Sequence, residues 1–243
     1  MKDNITVVLV NFSHPGNIGA AARAMKVMGL TNLCLVAPKS FPSAVTTAMA
    51  AGADDLLEQA SVVHTLEEAI ANCQVVFATS ARIRALSLPL IPSREAAVLV
   101  SNYAKTSKVA ILFGRENNGL SNQELALCNY QIYIPTTANF TSLNVAAAVQ
   151  LIAYELNLAS QETINFDRAF DNSNKLATAE ELQSWYNHLT STLLKVDFLN
   201  ENNKAKTMLR LHRIFNRSRL EQSEVSLLRG ILTSVEYKLK KDN

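Results

Sequence analysis

The amino-acid sequence predicts an α/β domain with a mostly parallel sheet, followed by a small helical extension. Short apolar runs alternate with helical patterns from the start of the chain to about residue 160. Parallel sheets require this alternation, because each crossover between neighbouring strands takes a helix. The runs are continuous rather than alternating in polarity, as strands covered on both faces are. After residue 161 strand-like runs stop and helical periodicity takes over. A chain of 243 residues, 48% hydrophobic and 18% charged, can bury one large core and carry a smaller unit beside it. The expected boundaries are 1–160 for the α/β domain, 161–177 for a linker and 178–243 for the extension.

Ile5–Val10 is the first strand. A loop, Asn11–Asn17, holds Pro15 and Gly16; a helix follows from about Ile18 to Met28 and stops at Gly29. Leu33–Val36 is a strand closed by Pro38. Val45–Ala51 and Asp54–Gln59 read as short helices around Gly52, Ser61–Val63 as a weak strand and Leu66–Asn72 as a helix. Val75–Ala78 is a strand ending at Thr79-Ser80-Ala81-Arg82, and a polar loop punctuated by Pro89 and Pro92 follows. Ser93 caps a helix to about Tyr103, with Glu95 in its first turn. Val109–Phe113 has the length and branched content of a buried strand, and it breaks at Gly114, where a missing Cβ admits a close neighbour. Asn117-Asn118-Gly119 is a tight turn, Ser121–Leu127 a helix, and Gln131–Ile134 a strand stopped by Pro135. The loop Thr136–Ser142 leads into a helix from Leu143 to about Ala159. In the extension, Thr178 and Glu181 form a capping box. It opens a helix to about Leu199 with Leu182, Trp185, Leu189, Leu193 and Val196 on one face. Ala205–Phe215 and Glu221–Lys240 complete the extension, with Met208, Leu211, Ile214 and Phe215 as an apolar stripe.

No run of 18 apolar residues is present, so no membrane span is expected. The first 25 residues lack the basic start and apolar core of a secretory signal. Cys34, Cys73 and Cys128 are widely spaced with no CxxC, which fits structural thiols in a reducing cytoplasm and argues against a zinc site. The net charge of +2 does not announce nucleic acid, but its distribution is uneven. Lys204, Lys206, Arg210, Arg213, Arg217, Arg219 and Arg229 face only Glu221 and Glu224 between positions 204 and 229. Such a stripe can neutralise phosphates while the chain stays near neutral; it is equally the pattern of a solvated helix face.

Three stretches carry candidate chemistry. Asn17-Ile-Gly-Ala-Ala-Ala-Arg23 places small residues at a helix start, where free N–H groups favour an anion. It is neither a dinucleotide fingerprint nor a Walker loop, and a lone Arg on a helix is usually solvated. The second stretch runs from Phe113-Gly114 through Arg115 and Glu116 to Gly119. Ser142 and Asn144 form the third, and both also serve as ordinary helix caps. Two strand ends delivering polar residues to one loop region are what a ligand site at the carboxyl edge of a parallel sheet looks like. Two ordinary strand-to-helix turns would look the same.

Taken in order, Asn17-x-Gly19-x-x-x-Arg23, Phe113-Gly114-x-Glu116-x-x-Gly119-Leu120-Ser121 and Ser142-Leu143-Asn144-Val145-Ala146 resemble the three motifs of the SpoU/TrmH-like branch of SPOUT RNA ribose methyltransferases. The resemblance covers about residues 1–160. The chain length and helical extension are most similar to members that act on cytidine or uridine at tRNA anticodon-loop position 32. The resemblance implies an α/β fold with a deep C-terminal trefoil knot, although general chain rules argue against threading. It implies S-adenosyl-L-methionine held in bent form by Thr79, Ser80, Ala81, Gly114, Ile134, Thr141, Ser142 and Leu143. A parallel sheet brings the first five of these to one edge if their strands are neighbours.

The implied reaction is attack of a ribose 2′-hydroxyl on the cofactor's methyl group, which requires help with deprotonation and with the developing alkoxide. The family gives the central role to the residue at Arg23. A guanidinium releases its proton reluctantly, so Arg23 is expected to grip a phosphate and stabilise the alkoxide while the proton leaves through phosphate or water. Asn17 and Asn144 are expected to position substrate or Arg23, Glu116 to orient the helix or Arg23, and Ser142 to lie between cofactor and ribose. RNA contacts are expected from Arg23, Arg82, Arg84, Arg115, Lys204, Arg210, Arg213 and Arg217. The family works as homodimers on RNA. The Leu143–Leu158 helix, with Val145, Val149, Ile152 and Leu156, fits a dimer interface or a core face. Other readings are the same chemistry on rRNA or another tRNA position, and a non-catalytic RNA-binding homologue. A nucleotide-binding oxidoreductase lacks support, because no glycine fingerprint follows the first strand.

Overall fold

The structure is a computed structural model and describes residues 1–80, 88–137, 139, 141–161 and 175–241. Seven strands form one sheet: β1 (Ile5–Val10), β2 (Asn32–Val36), β3 (Ser61–Val63), β4 (Val75–Thr79), β5 (Leu90–Pro92), β6 (Val109–Phe113) and β7 (Tyr130–Tyr133). Their order is β3-β2-β1-β6-β4-β7-β5, and every pairing is parallel. The sequence reading missed β5, whose residues it assigned to a loop. Three residues at a sheet edge leave little periodicity to read, and Pro92 is tolerated there because an edge strand need not donate on both sides.

Alternate residues of the strands feed two cores. Ile5, Val7 and Leu9 of β1 pack on one face with α1 (Pro15–Val27), α5 (Ser93–Tyr103) and α7 (Val145–Gln161). Val8 and Val10 face the other way, toward residues of α4 (Leu66–Ile70) and α6 (Asn122–Ala126). Burial on both faces is why these runs are continuously apolar. Val149, Ile152 and Leu156 of α7 lie in the first core and Val145 packs against it. The ambiguity over that helix is thereby resolved: this stripe is a core face, and Leu151 and Tyr154 are the exposed apolar residues of α7.

Helix α1 begins at Pro15, three residues before the expected start, because proline suits the first helical position where its missing N–H is no loss. Ser93 is the first residue of α5 rather than its cap, the cap position being Pro92. Gly19, expected to open an anion site, instead packs against α2 (Ala44–Ala50): a Cβ on it would lie 2.1 Å from the Thr46 carbonyl oxygen. Ala21, Ala22 and Ala24 are core residues. The small residues of this stretch serve helix packing.

The extension contains α8 (Ala179–Lys195), α9 (Lys204–Ser218) and α10 (Gln222–Lys241). Thr178 and Glu181 form the expected reciprocal cap. Trp185, Tyr186, Leu189, Leu220, Val225 and Leu232 make a separate small core, joined by Met208, Leu211 and Phe215; Ile214 is exposed, unlike the rest of its predicted stripe. All three cysteines are buried and free. No helix among the described residues is long and apolar enough to cross a membrane.

Gly19→Ala is the sharpest test of the α1–α2 contact. Alanine gains about 1 kcal/mol in helix propensity, but its Cβ meets rigid backbone, and overpacking of this kind costs about 1–3 kcal/mol. Urea unfolding is expected to show net destabilisation; a more stable variant would contradict the close approach.

Candidate active site

The C-terminal ends of β6, β4 and β7, which are neighbours in the sheet, open onto a cleft of about 210 Å³. Thr79, Ser80, Gly114, Ile134, Thr141, Ser142 and Leu143 all line it, together with the Arg115–Gly119 turn and Val145 at the start of α7. Seven of the eight expected cofactor residues are thus brought together; Ala81 lies outside the described residues. The Thr79 hydroxyl donates to the Leu112 carbonyl at 2.8 Å, which ties the end of β4 to β6. The role expected of Gly114 changes. A Cβ there would come within 2.3 Å of Gly119 C and Leu120 N, so the space it leaves is filled by the protein's own turn rather than by a ligand.

Glu116 organises the rest. Its Oε2 accepts from the Ser13 N–H at 3.2 Å and the Ser13 hydroxyl at 3.0 Å; Oε1 accepts from the His14 N–H at 3.0 Å and the Asn17 amide at 3.2 Å. His14 gives α1 no side-chain cap; a carboxylate from the loop after β6 sits near the positive end of the helix, bonded to the N–H groups of Ser13 and His14 just before it. The anion favoured at this helix start is the protein's own. Partial burial works against the charge. Hydrogen bonds from its own backbone N–H, those of His14 and Ser13, and the Asn17 amide outweigh it and hold the carboxyl at about 2.

The chain of contacts continues through Asn17. Asn144 Nδ2 donates to Asn17 Oδ1 at 3.2 Å, while Asn144 Oδ1 accepts from the Ala146 N–H at 2.9 Å. Asn144 therefore caps α7 and also ties it to α1. Glu116, Asn17 and Asn144 fix the relative placement of the β6 loop and two helix starts at the rim of the cleft. Glu116 orients α1, not Arg23 directly.

Arg23 is exposed on α1, and among the described residues its guanidinium makes no hydrogen bond or ion pair. Arg115 is braced: its guanidinium is held by both carboxylate oxygens of Glu124, at 2.9 and 3.0 Å, which ties the turn to the start of α6. Glu124 escaped the sequence reading, although Ser121-x-x-Glu124 carries the capping-box spacing and forms that box in the structure. Arg82 and Arg84 lie outside the described residues. On α9, Arg210 and Arg217 are exposed and Lys204 and Arg213 half-buried, with no acceptor for any of the four among the described residues. Arg219 leaves the basic stripe, donating to the Tyr103 hydroxyl.

The lining suits S-adenosyl-L-methionine by its chemistry. Ile132, Ile134, Leu143, Val145 and Ala148 give apolar walls, and strand-end backbone and the hydroxyls of Thr79, Ser80, Thr141 and Ser142 give polar contacts.

Comparison with known proteins agrees over nearly the whole chain. Residues 4–154 match the SpoU rRNA Methylase family, and residues 180–243 match the tRNA methyltransferase TrmJ, C-terminal domain. The chain is 46% identical over 244 residues to the tRNA (cytidine/uridine/adenosine-2'-O-)-methyltransferase TrmJ of Pseudomonas aeruginosa, covering 97% of this chain and 95% of that one. It is 45% identical over 243 residues to the tRNA (cytidine/uridine-2'-O-)-methyltransferase TrmJ of Salmonella typhimurium, covering 99% of each. Among solved structures, TrmJ from Z. mobilis ZM4 matches with a TM-score of 0.85 at 33% identity, over 95% of this chain and 98% of that one.

Because Glu116 is held at about 2, below its unfolded value of about 4.3, it contributes stability above the unfolded value that is lost as pH falls through the folded one. The stability difference between the parent chain and Glu116→Gln is therefore expected to be constant from pH 7 to about 5 and to shrink as pH falls further. Urea midpoints measured from pH 7 to 3 check this; a difference that grows in acid would contradict the assignment.

Proposed function

Because the chain belongs to the SpoU rRNA methylase family, we propose that it methylates the ribose 2′-hydroxyl of cytidine or uridine at position 32 of the tRNA anticodon loop, using S-adenosyl-L-methionine. The observation that carries this reading is the meeting, at one sheet edge, of the cofactor-type cleft with the Glu116–Asn17–Asn144 network. The names of the relatives in Pseudomonas and Salmonella supply tRNA and the 2′-oxygen; the position within tRNA comes from the resemblance in length and extension.

When bound, S-adenosyl-L-methionine supplies an electrophilic methyl group. Thr79, Ser80, Ala81, Gly114, Ile134, Thr141, Ser142 and Leu143 hold it, and the apolar walls exclude water from it. Ser142 lies between cofactor and ribose. Asn17 and Asn144 are already fixed by their own hydrogen bonds, so they place the ribose without a reorganisation cost at the moment of reaction. Arg23, with no internal partner to release among the described residues, grips a backbone phosphate and stabilises the alkoxide as the proton passes to phosphate or water. Its planar fork matches phosphate in a way a lysine ammonium does not. Lys204, Arg210, Arg213 and Arg217 of the extension hold the RNA backbone, joined by Arg82 and Arg84.

This reading also takes the chain as two units, 1–160 and 178–243, joined by 161–177, and as a homodimer in which Leu151 and Tyr154 are covered. It includes the family's trefoil knot, a reading that the placing of β7 between β4 and β5 supports. With its thiols free, the setting is the reducing cytoplasm.

Methyl transfer to purified tRNA is expected to fall at least about 100-fold in Arg23→Ala, the scale of losing one preorganised donor to a developing oxyanion. Arg23→Lys is expected to restore little of it, and near-full turnover in the lysine variant would overturn the bidentate role. The four backbone contacts of the extension alone contribute about −3 to the slope of log affinity for tRNA against log salt. Charge reversal at Arg213 and Arg217 should flatten that slope. A salt-independent affinity, or one that survives the reversal, would remove the extension from the RNA interface.

A further inference from the structure

Helix α6 touches both the wall of the cleft and the extension. At its start, Ser121 and Glu124 cap each other, and Glu124 also holds Arg115. Arg115 opens the turn that Gly119 closes, the Gly119 N–H donating to the Arg115 carbonyl at 2.9 Å, and this turn lines the cleft. At the other end of α6, the Ala126 carbonyl accepts from the side-chain amide of Asn216 on α9.

Asn216 is bonded through both its side-chain amide and its backbone carbonyl. Only 4% exposed, it accepts the Tyr186 hydroxyl on Oδ1 at 2.9 Å, and its backbone carbonyl accepts Asn129 Nδ2 at 3.0 Å. Asn129 in turn accepts the Val76 N–H at 2.7 Å at the start of β4. Beside this set, a groove of about 370 Å³ separates Ile70, Cys73 and Leu127 of the α/β domain from Leu182 and Tyr186 of α8. Hydrogen bonds cross between the two parts beside this groove. A buried, fully satisfied polar set of this kind fixes one arrangement sharply, because losing one member strands the others.

We propose that Asn216 is a positioning residue for the cofactor cleft. Acting through α6 and the Glu124–Arg115 pair, it sets the turn that walls the cleft, so that the RNA-holding extension and the cofactor site are linked. The inference rests on the cofactor reading above. Linkage of this kind is reciprocal: RNA on the extension and cofactor in the cleft each alter the other's affinity by one factor.

The test is titration calorimetry of the full chain with S-adenosyl-L-homocysteine, paired with steady-state kinetics. The parent chain must bind, and failure there would overturn the cofactor reading itself. Given that binding, Asn216→Ala and Glu124→Gln are each expected to raise Kd about three- to tenfold, the range of remote positioning effects. The double variant should be no weaker than the weaker single, since both act through one element. KM for the cofactor should rise while kcat at saturation holds; a merely destabilised chain would lose kcat at unchanged KM. An Asn216→Ala chain that binds as tightly as the parent, or effects that multiply in the double variant, would overturn the proposal. Should Asn216→Ala not fold, Tyr186→Phe, which frees the Asn216 amide while keeping the ring, is read in its place with the same expectation.

Discussion

The seating of Glu116 on the first turn of α1 is the interaction on which the site depends. Helix starts carry a partial positive charge, and in this chain a carboxylate from a strand end about a hundred residues later accepts the N–H groups of Ser13 and His14, which lead into α1. The exchange favours the charged form because several donors converge on one partly buried carboxylate. One contact thereby registers α1 against β6. Through Asn17 and Asn144 it registers α7 as well.

That registration matters because the groups proposed to act together come from separate parts of the chain. Arg23 rides on α1, the cofactor-type cleft is walled by the ends of β4, β6 and β7, and Ser142 precedes α7. Errors of an ångström between such parts are costly in group transfer. Close packing removes the slack: Gly114 abuts the Gly119–Leu120 backbone and Gly19 abuts α2, with no room for a Cβ at either place. Both glycines look like ligand-binding glycines in the sequence, and both serve the chain's own contacts.

Much of the fold was legible because strands buried on both faces leave unbroken apolar runs. β1, β2, β4 and β6 are such runs, and the conditional that their neighbours bring Thr79, Gly114 and Ile134 to one edge is met by the order β6-β4-β7. What was not legible is long-range and polar. Nothing local tells that Glu116 turns to Ser13 and His14, that Arg115 is taken by Glu124, or that Asn216 reaches Ala126. β5 was too short to show periodicity. The start of α1 was misplaced because Pro15 was read as a loop residue when it is the first residue of the helix.

The chain belongs to a family of ribose methyltransferases, and the role proposed for Arg23 on tRNA is the part of the mechanism most open to test. Mass mapping of ribose methylation in total tRNA and rRNA, from cells with and without the chain and with Arg23→Ala returned, bears on it most directly. The expected result is loss of the 2′-O-methyl group at anticodon-loop position 32, restored by the parent chain and not by the variant. Loss of a methyl group from rRNA with tRNA intact, or full restoration by Arg23→Ala, would contradict it.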